Sequence, residues 1–385
     1  MKALILTPST RSAEVRDIPT PTPGPGEVLI RVHAVALNPV DVIYVEDPVA
    51  EQQQRVVGTD FAGVVIGASN DLANVEDGRI QNGTRVAGFL QGASSSNDRP
   101  GAFAEYITAP YDLLWTIPGS LSFEQASSVS MCGLTAAQAV FYRFGLPGPF
   151  SPGDVGTSDD PVNVLVYGSS TSLGLFAAQL VRRVGETSGR RIRLIGVASS
   201  SKHEFLCTAP YKYDFLVDYR QQDWPAQVRN ATGGSGVHFA LDTISERDTV
   251  ANVHSTVGPQ GKYHVFRGPR GGKFDTANLT IQPIHGPVYE GLGVGISFGP
   301  GIFLPAKPEA REFAAKFFAF LNSGARDNEI KLQPNPIRRM PGGLERIVPD
   351  GFALLSGMVV DRKRLDRSEE YMKPISAEKL VYTIT

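Results

Sequence analysis

The chain has 385 residues, of which 42% are apolar, 9% aromatic and 20% charged; at roughly 100–200 residues per domain this length predicts two domains, each with its own core. A balance of 37 basic against 39 acidic residues leaves a net charge of −2, which excludes the basic stripe of a nucleic-acid partner. Two cysteines, Cys132 and Cys207, are too few for a cysteine-rich zinc lobe or a disulfide framework.

The opening residues, Met1–Leu6, read as a short apolar strand, too short for the apolar core of a signal peptide. No run of about 18 apolar residues follows. A cytoplasmic protein with no membrane partner is expected. Up to about residue 120 the pattern is strand-like. Glu27–Leu37 mixes β-branched and apolar residues at period two after the Pro/Gly-rich turn Pro19–Gly26, and Gly63–Gly67 and Thr84–Phe89 read as further strands. Short, closely spaced strands predict an antiparallel, barrel-like β domain. Near residue 121 the texture changes to helix, with Ser122 as an N-cap and Gly133–Val140 as a helix-forming run.

Val162–Tyr167 is a buried-strand run, followed by the small-residue loop Gly168–Gly174 and the helix-forming run Leu175–Val181. Strand, small-residue loop and helix bring backbone N–H groups to a pyrophosphate. The loop keeps two glycines, Gly168 and Gly174, with Ser169, Ser170, Thr171, Ser172 and Leu173 between them. An ordinary βα turn is the alternative. The next strand, Arg193–Ala198, ends in Ser199, Ser200, Ser201, Lys202 and His203 with no acid for a ribose 2′-hydroxyl, a set that favours NADPH over NADH. Asp214–Tyr219, Gly236–Asp242 and Gly261–Phe266 continue the alternation into a doubly wound α/β domain. Further on, Pro308–Ser323 carries Phe313, Ala314, Phe317, Phe318 and Leu321 at helical spacing, and Glu378–Ile384 closes the chain as a strand.

Several segments carry a resemblance: Pro23–Ile30, Ala36–Asp41, Gly58–Gly63, Gly133–Ala136, Val217–Arg220 and Gly342–Glu345. With them the chain resembles the medium-chain dehydrogenase/reductase superfamily, and within it the zinc-free, trans-acting enoyl reductases that serve fungal polyketide synthases. The resemblance implies an α/β architecture: a GroES-like β-barrel domain from residues 1–125 and 300–385 around a Rossmann NADPH-binding domain at 126–299. Asn38 stands where the zinc alcohol dehydrogenases place a ligand cysteine, and Thr59-Asp60 replaces their His-Glu pair. Without thiolate or imidazole there, no metal site is expected, and conjugate reduction replaces alcohol dehydrogenation. A further departure is Ile43, where family members carry a lysine able to touch cofactor or substrate; the stretch Asp47–Gln54 also differs from the family's Pro/Gly-rich loop.

The resemblance implies cofactor contacts from Val40, Asp41, Val42 and Ile43, from Gly168, Ser170, Thr171, Ser172 and Leu173, and from Ser200, Ser201, Lys202 and His203. It also implies Tyr219 against the adenine, and contacts from Phe266, Arg267, Ile375 and Ser376. Substrate would meet Thr135 and the wall Gly286, Pro287, Val288, Tyr289 and Glu290. Alternatives stay open at several positions. Tyr44 is a proton donor or a packing residue, Asp41 a base or an N-cap, Asn38 a loop-fixing residue and Thr135 a contact or a helix cap. Arg267 is a contact or a solvated residue, and Gly286–Gly293 a wall or a linker.

Three functions compete. The first is an NADPH-dependent, monomeric enoyl reductase acting in trans on a polyketide thioester held by an acyl carrier protein. The second, favoured by Ile43, is a redox-silent cyclase, isomerase or dehydratase on the same fold. The third is a free-standing enone or quinone reductase.

Overall fold

The computed structural model describes residues 1–48, 55–93, 100–298 and 302–384; Val49–Gln54, part of the stretch unlike the family loop, lie outside them. The chain forms two compact units. The first comprises Met1–Met131, Tyr289–Gly357 and Lys363–Thr385, and the second Cys132–Val288 with Met358–Arg362.

In the first unit, residues at period two along Glu27–Ala36 bury Val28, Ile30, Val32 and Ala34. That alternation is what a strand with one face on a core requires. The strand is central in a seven-stranded sheet. Moving outward in one direction lie Lys379–Thr383 and then Ile337–Arg339; in the other lie Asp60–Ala68, Arg85–Phe89 and Trp115–Thr116. Tyr106–Pro110 pairs with the central strand as well. All these pairs are antiparallel except Ile337–Arg339 with Lys379–Thr383. A second, three-stranded antiparallel sheet is made by Ser12–Asp17, Lys2–Thr7 and Arg55–Val56. Leu4, Ile5, Ile30, Phe61, Val65, Phe103 and Tyr382 share one core. The helix Pro308–Ser323 has the bounds its periodicity predicts and buries Phe313, Ala314, Phe317, Phe318 and Leu321.

The second unit holds five parallel strands: β1 (Val162–Tyr167), β2 (Ile192–Val197), β3 (Phe215–Val217), β4 (Val237–Asp242) and β5 (Val257–Val265). Their order is β3-β2-β1-β4-β5. The chain order reverses between β1 and β4, the switch point where doubly wound sheets take their ligands. β1 is buried along Val162–Val166, as a strand covered on both faces must be. β3 is shorter than its apolar run predicts: Asp218 and Tyr219 fall in the turn beyond it. Among the described residues no helix is long and apolar enough to cross a membrane.

Candidate functional site

The loop after β1 is shaped by its two glycines. Gly168 has φ +74°, and a Cβ there would lie 2.4 Å from Thr243 Oγ1. A Cβ on Gly174 would lie 2.4 Å from the Gly168 carbonyl oxygen. Both positions therefore admit glycine only, leaving an open backbone cradle at the start of the helix Ser172–Ser188. Thr171 caps that helix, its Oγ1 accepting from Gly174 N at 3.0 Å. The same hydroxyl lies 2.9 Å from Thr243 Oγ1, and Thr243 in turn donates to the Tyr167 carbonyl at 2.8 Å. Residues from the ends of β1 and β4 are thus knitted together at the switch point. Ser170, Thr171, Ser172 and Leu173 remain partly exposed around it, whereas Ser169 turns inward onto the Val166 carbonyl. These residues fit a dinucleotide's pyrophosphate. Thr243 was not visible in the sequence pattern, because its partner stands 72 residues away.

Ser200 and Ser201 are exposed, and Lys202 and His203 half-buried, on the turn that follows β2. His203 Nε2 lies 3.1 Å from the Ala198 carbonyl and so braces the turn. The expectation that no acid stands here needs correction. Asp218, at the end of β3, accepts from Ser200 N at 2.9 Å and from Arg220 N at 2.9 Å. Parallel neighbours end side by side, so an acid 18 residues along the chain arrives at the turn. Burial opposes its ionisation, but these N–H groups, the Ser200 hydroxyl and the Arg220 charge outweigh it and hold the carboxyl below the usual range. Tyr219 is half-exposed, with Arg220 Cζ 5.5 Å from its ring centroid.

After β4 the backbone is strained. Ser245 (φ +55°) and Arg247 (φ +48°) both carry positive φ on either side of fully buried Glu246. Asp242 fastens this turn by accepting from Ile244 N, Ser245 N and Thr249 Oγ1 at 2.7–3.0 Å. Burial pushes its carboxyl up to about 6 despite those bonds. Ser245 Oγ accepts from Phe266 N at 2.8 Å, and Glu246 pairs with Arg267 at 3.2 Å. Arg267 is therefore paired. Glu246 also accepts from Val359 N at 3.1 Å and Val360 N at 3.0 Å. Nothing in the local sequence pattern marks this glutamate. In the same unit, Thr135 lies inside the helix Ser130–Ala137, which corrects its alternative reading as a cap. The Val288 carbonyl accepts from Gln138 Nε2 at 3.3 Å, and a Cβ on Gly286 would lie 2.4 Å from the Arg143 guanidinium beside Pro287.

In the first unit Asn38 is the N-cap of the helix Pro39–Glu46. Asp41 stands at N3 and accepts from Asn38 N at 2.7 Å, so its reading as the cap is corrected by three positions. The Asn38 side chain takes the Asp41 backbone in a reciprocal capping box, as the loop-fixing reading expects, and its Nδ2 also donates to Thr59 Oγ1 at 2.7 Å and to Asp60 Oδ2 at 2.9 Å. Lys379 Nζ donates to that same oxygen at 2.6 Å, and Met131 N to Asp60 Oδ1 at 2.8 Å. The Asp60 carboxylate is thus filled by protein donors. Asp41 is fully buried, and burial raises its carboxyl to about 7 against the bonds from Asn38 and Thr59.

Asp41 and Val42 are buried, so of the motif Val40–Ile43 only half-buried Val40 and exposed Ile43 present surface. Tyr44 lies on this helix, not at a strand end, and is buried with its ring centroid 6.2 Å from that of Tyr289. Burial first, then Tyr44, Asp41 and Asp60, keep the Tyr289 phenol protonated far above its ordinary range. Glu290 is buried against Lys307 at 2.7 Å. Ile375 packs on the core, and Ser376 is exposed.

Residues 24–119 match the alcohol dehydrogenase GroES-like domain. The trans-enoyl reductase FSL5 of Gibberella zeae is 31% identical over 95% of this chain and 92% of its own. The enoyl reductase cheB of Chaetomium globosum is 30% identical over 96% and 90%. A mycobacterial protein, Rv1454c, solved in complex with NADPH, superposes over the full length of both chains with a TM-score of 0.67 at 21% identity. The chain belongs to the enoyl reductases of the medium-chain dehydrogenase/reductase superfamily, an oxidoreductase with a GroES-like β unit and a doubly wound α/β unit.

Proposed function

We propose that the protein is an NADPH-dependent, trans-acting enoyl reductase of polyketide biosynthesis, which reduces an α,β-unsaturated thioester held by an acyl carrier protein. The observation that carries this reading is the glycine-only cradle at Gly168 and Gly174, placed at the β1/β4 switch point of a chain whose relatives are trans-enoyl reductases. The serine- and lysine-bearing turn after β2 supports NADPH, and the solved relative in complex with NADPH supports the same choice.

The cofactor, when bound, supplies a hydride to the substrate's β-carbon. The chain's part is to bind, orient and hold a proton. Backbone N–H groups of Ser170, Ser172 and Leu173 would hold the pyrophosphate on the loop that Gly168 and Thr171 shape, with Ser200, Ser201, Lys202 and His203 at the 2′ side and Tyr219 at the adenine. Phe266 and Arg267 are held in place by Ser245 and Glu246. Tyr44 would give its proton to the α-carbon and be left as a phenolate that takes a proton back from solvent, while Tyr289 beside it stays neutral and can hydrogen-bond to it. Ile43 offers no ammonium, so the carbonyl oxygen must take its hydrogen bonds from hydroxyls. We read the enzyme as a cytoplasmic monomer that meets its substrate through the carrier protein.

The test compares one enoyl group on free pantetheine and on a carrier protein, reading NADPH consumption. A trans-acting enzyme gives a kcat/KM at least tenfold higher, by order of magnitude, for the carrier-bound form. Equal values for both would leave a free-standing enone reductase.

A further inference from the structure

A carboxylate beside the turn after β2 has two opposite consequences for a nucleotide. Left bare, it accepts bonds from ribose hydroxyls and repels a phosphate ester at the 2′ oxygen; covered, it does neither. Asp218 is that carboxylate, and it is covered. Oδ2 accepts from Ser200 N, and Oδ1 accepts from Arg220 N and pairs with Arg220 Nε at 3.3 Å. The acid is nearly buried, whereas the Arg220 side chain is 57% exposed. One edge of the guanidinium thus faces Asp218, and the other is open above the half-exposed Tyr219 ring.

We propose that Arg220 is the residue that selects a 2′-phosphorylated dinucleotide, cancelling the charge of Asp218 with one edge and taking the phosphate with the other. A planar guanidinium can serve two anions at once while lying on an aromatic face, which a lysine ammonium cannot do. Lys202 and the hydroxyls of Ser199 and Ser201, on the adjacent turn, complete the anion's surroundings. The inference rests on the nucleotide-binding reading above and adds the residue that chooses between nucleotides.

The test needs no turnover: calorimetric titration of the full-length protein with 2′,5′-ADP and with 5′-AMP. Arg220→Ala is expected to weaken 2′,5′-ADP by roughly 10- to 100-fold, the loss of a charge-assisted bond, and to leave 5′-AMP unchanged or tighter. Adding Asp218→Asn to Arg220→Ala should recover part of the lost affinity, because no bare carboxylate then faces the phosphate. A purely structural role for Arg220 would show no such recovery. An unchanged ratio of the two affinities in Arg220→Ala, or a double variant no tighter than the single, overturns the inference. A wild-type protein that fails to distinguish the two ligands overturns the NADPH reading itself, a result separable from either variant.

Discussion

Lys379 donates to Asp60 at 2.6 Å across 319 residues of chain, with both side chains buried. The pair fastens the C-terminal strand to the strand Asp60–Ala68, while Met131 N and Asn38 Nδ2 fill the rest of the carboxylate. A buried ion pair repays its desolvation only when both partners are present. Lys379→Met alone should therefore destabilise the protein by about 3–5 kcal/mol, because it strands a buried charge. Lys379→Met combined with Asp60→Asn should recover most of that loss. Urea unfolding of the three proteins checks this, and a single variant within about 1 kcal/mol of wild type would contradict it.

The Asp41 carboxyl gives the same network a pH dependence. Its folded value is about 7, raised by burial and by Asp60 against the bonds from Asn38 and Thr59 and the charge of Lys379. In an unfolded chain an aspartate titrates near ~4. Between these values the folded state keeps a proton that the unfolded state has released. This group's penalty is thus absent below about pH 4 and grows, by a few kcal/mol in order of magnitude, as the pH rises to 7. Asp242, at about 6, acts in the same sense. Glu369, held at about 2 by its bond to Arg367, acts in the opposite sense, and only in acid. Asp41→Asn should flatten the fall in melting temperature between about pH 4 and 7 expected of wild type. A variant that keeps the full slope would assign it elsewhere.

Gly168→Ala places a methyl 2.4 Å from Thr243 Oγ1 at a φ of +74°. The loop must then open, and NADPH affinity should fall at least tenfold, roughly the cost of one lost phosphate contact. Gly189, which ends the helix Ser172–Ser188 at φ +70°, meets nothing within 4 Å; Gly189→Ala should cost stability without touching the nucleotide. Fluorescence titration of the two variants separates loop geometry from helix stability.

The sequence pattern carried the strand–loop–helix of the nucleotide site, because neighbours in the chain build it. The same holds for the helix Pro308–Ser323 and the strands Glu27–Ala36 and Val162–Tyr167, where periodicity alone decides burial. What stayed hidden is non-local. Thr243, Lys379 and Glu246 meet partners 72, 319 and 113 residues away, and no spacing rule reaches so far. Asp218 was in view as a strand-end residue, but its arrival at Ser200 depends on β2 and β3 being adjacent and parallel. The helix Pro39–Glu46 was missed because Asn38 and Asp41 both suit a cap, and only the fold shows that they share one.

Tyr44→Phe removes one hydroxyl from a buried ring pair and changes little packing. If Tyr44 delivers the α-proton, kcat should fall by about 10² or more while NADPH affinity holds. Loss of both together would make Tyr44 a packing residue.

Enoyl reduction is read out by following the nicotinamide absorbance of the purified protein with NADPH and a short enoyl thioester on a pantetheine arm. Saturable NADPH binding is expected, with oxidation that begins only when the thioester is added, one equivalent per double bond reduced. Tight NADPH binding with no oxidation across several enoyl lengths would contradict enoyl reduction and leave the nucleotide as a fixture of a non-redox enzyme.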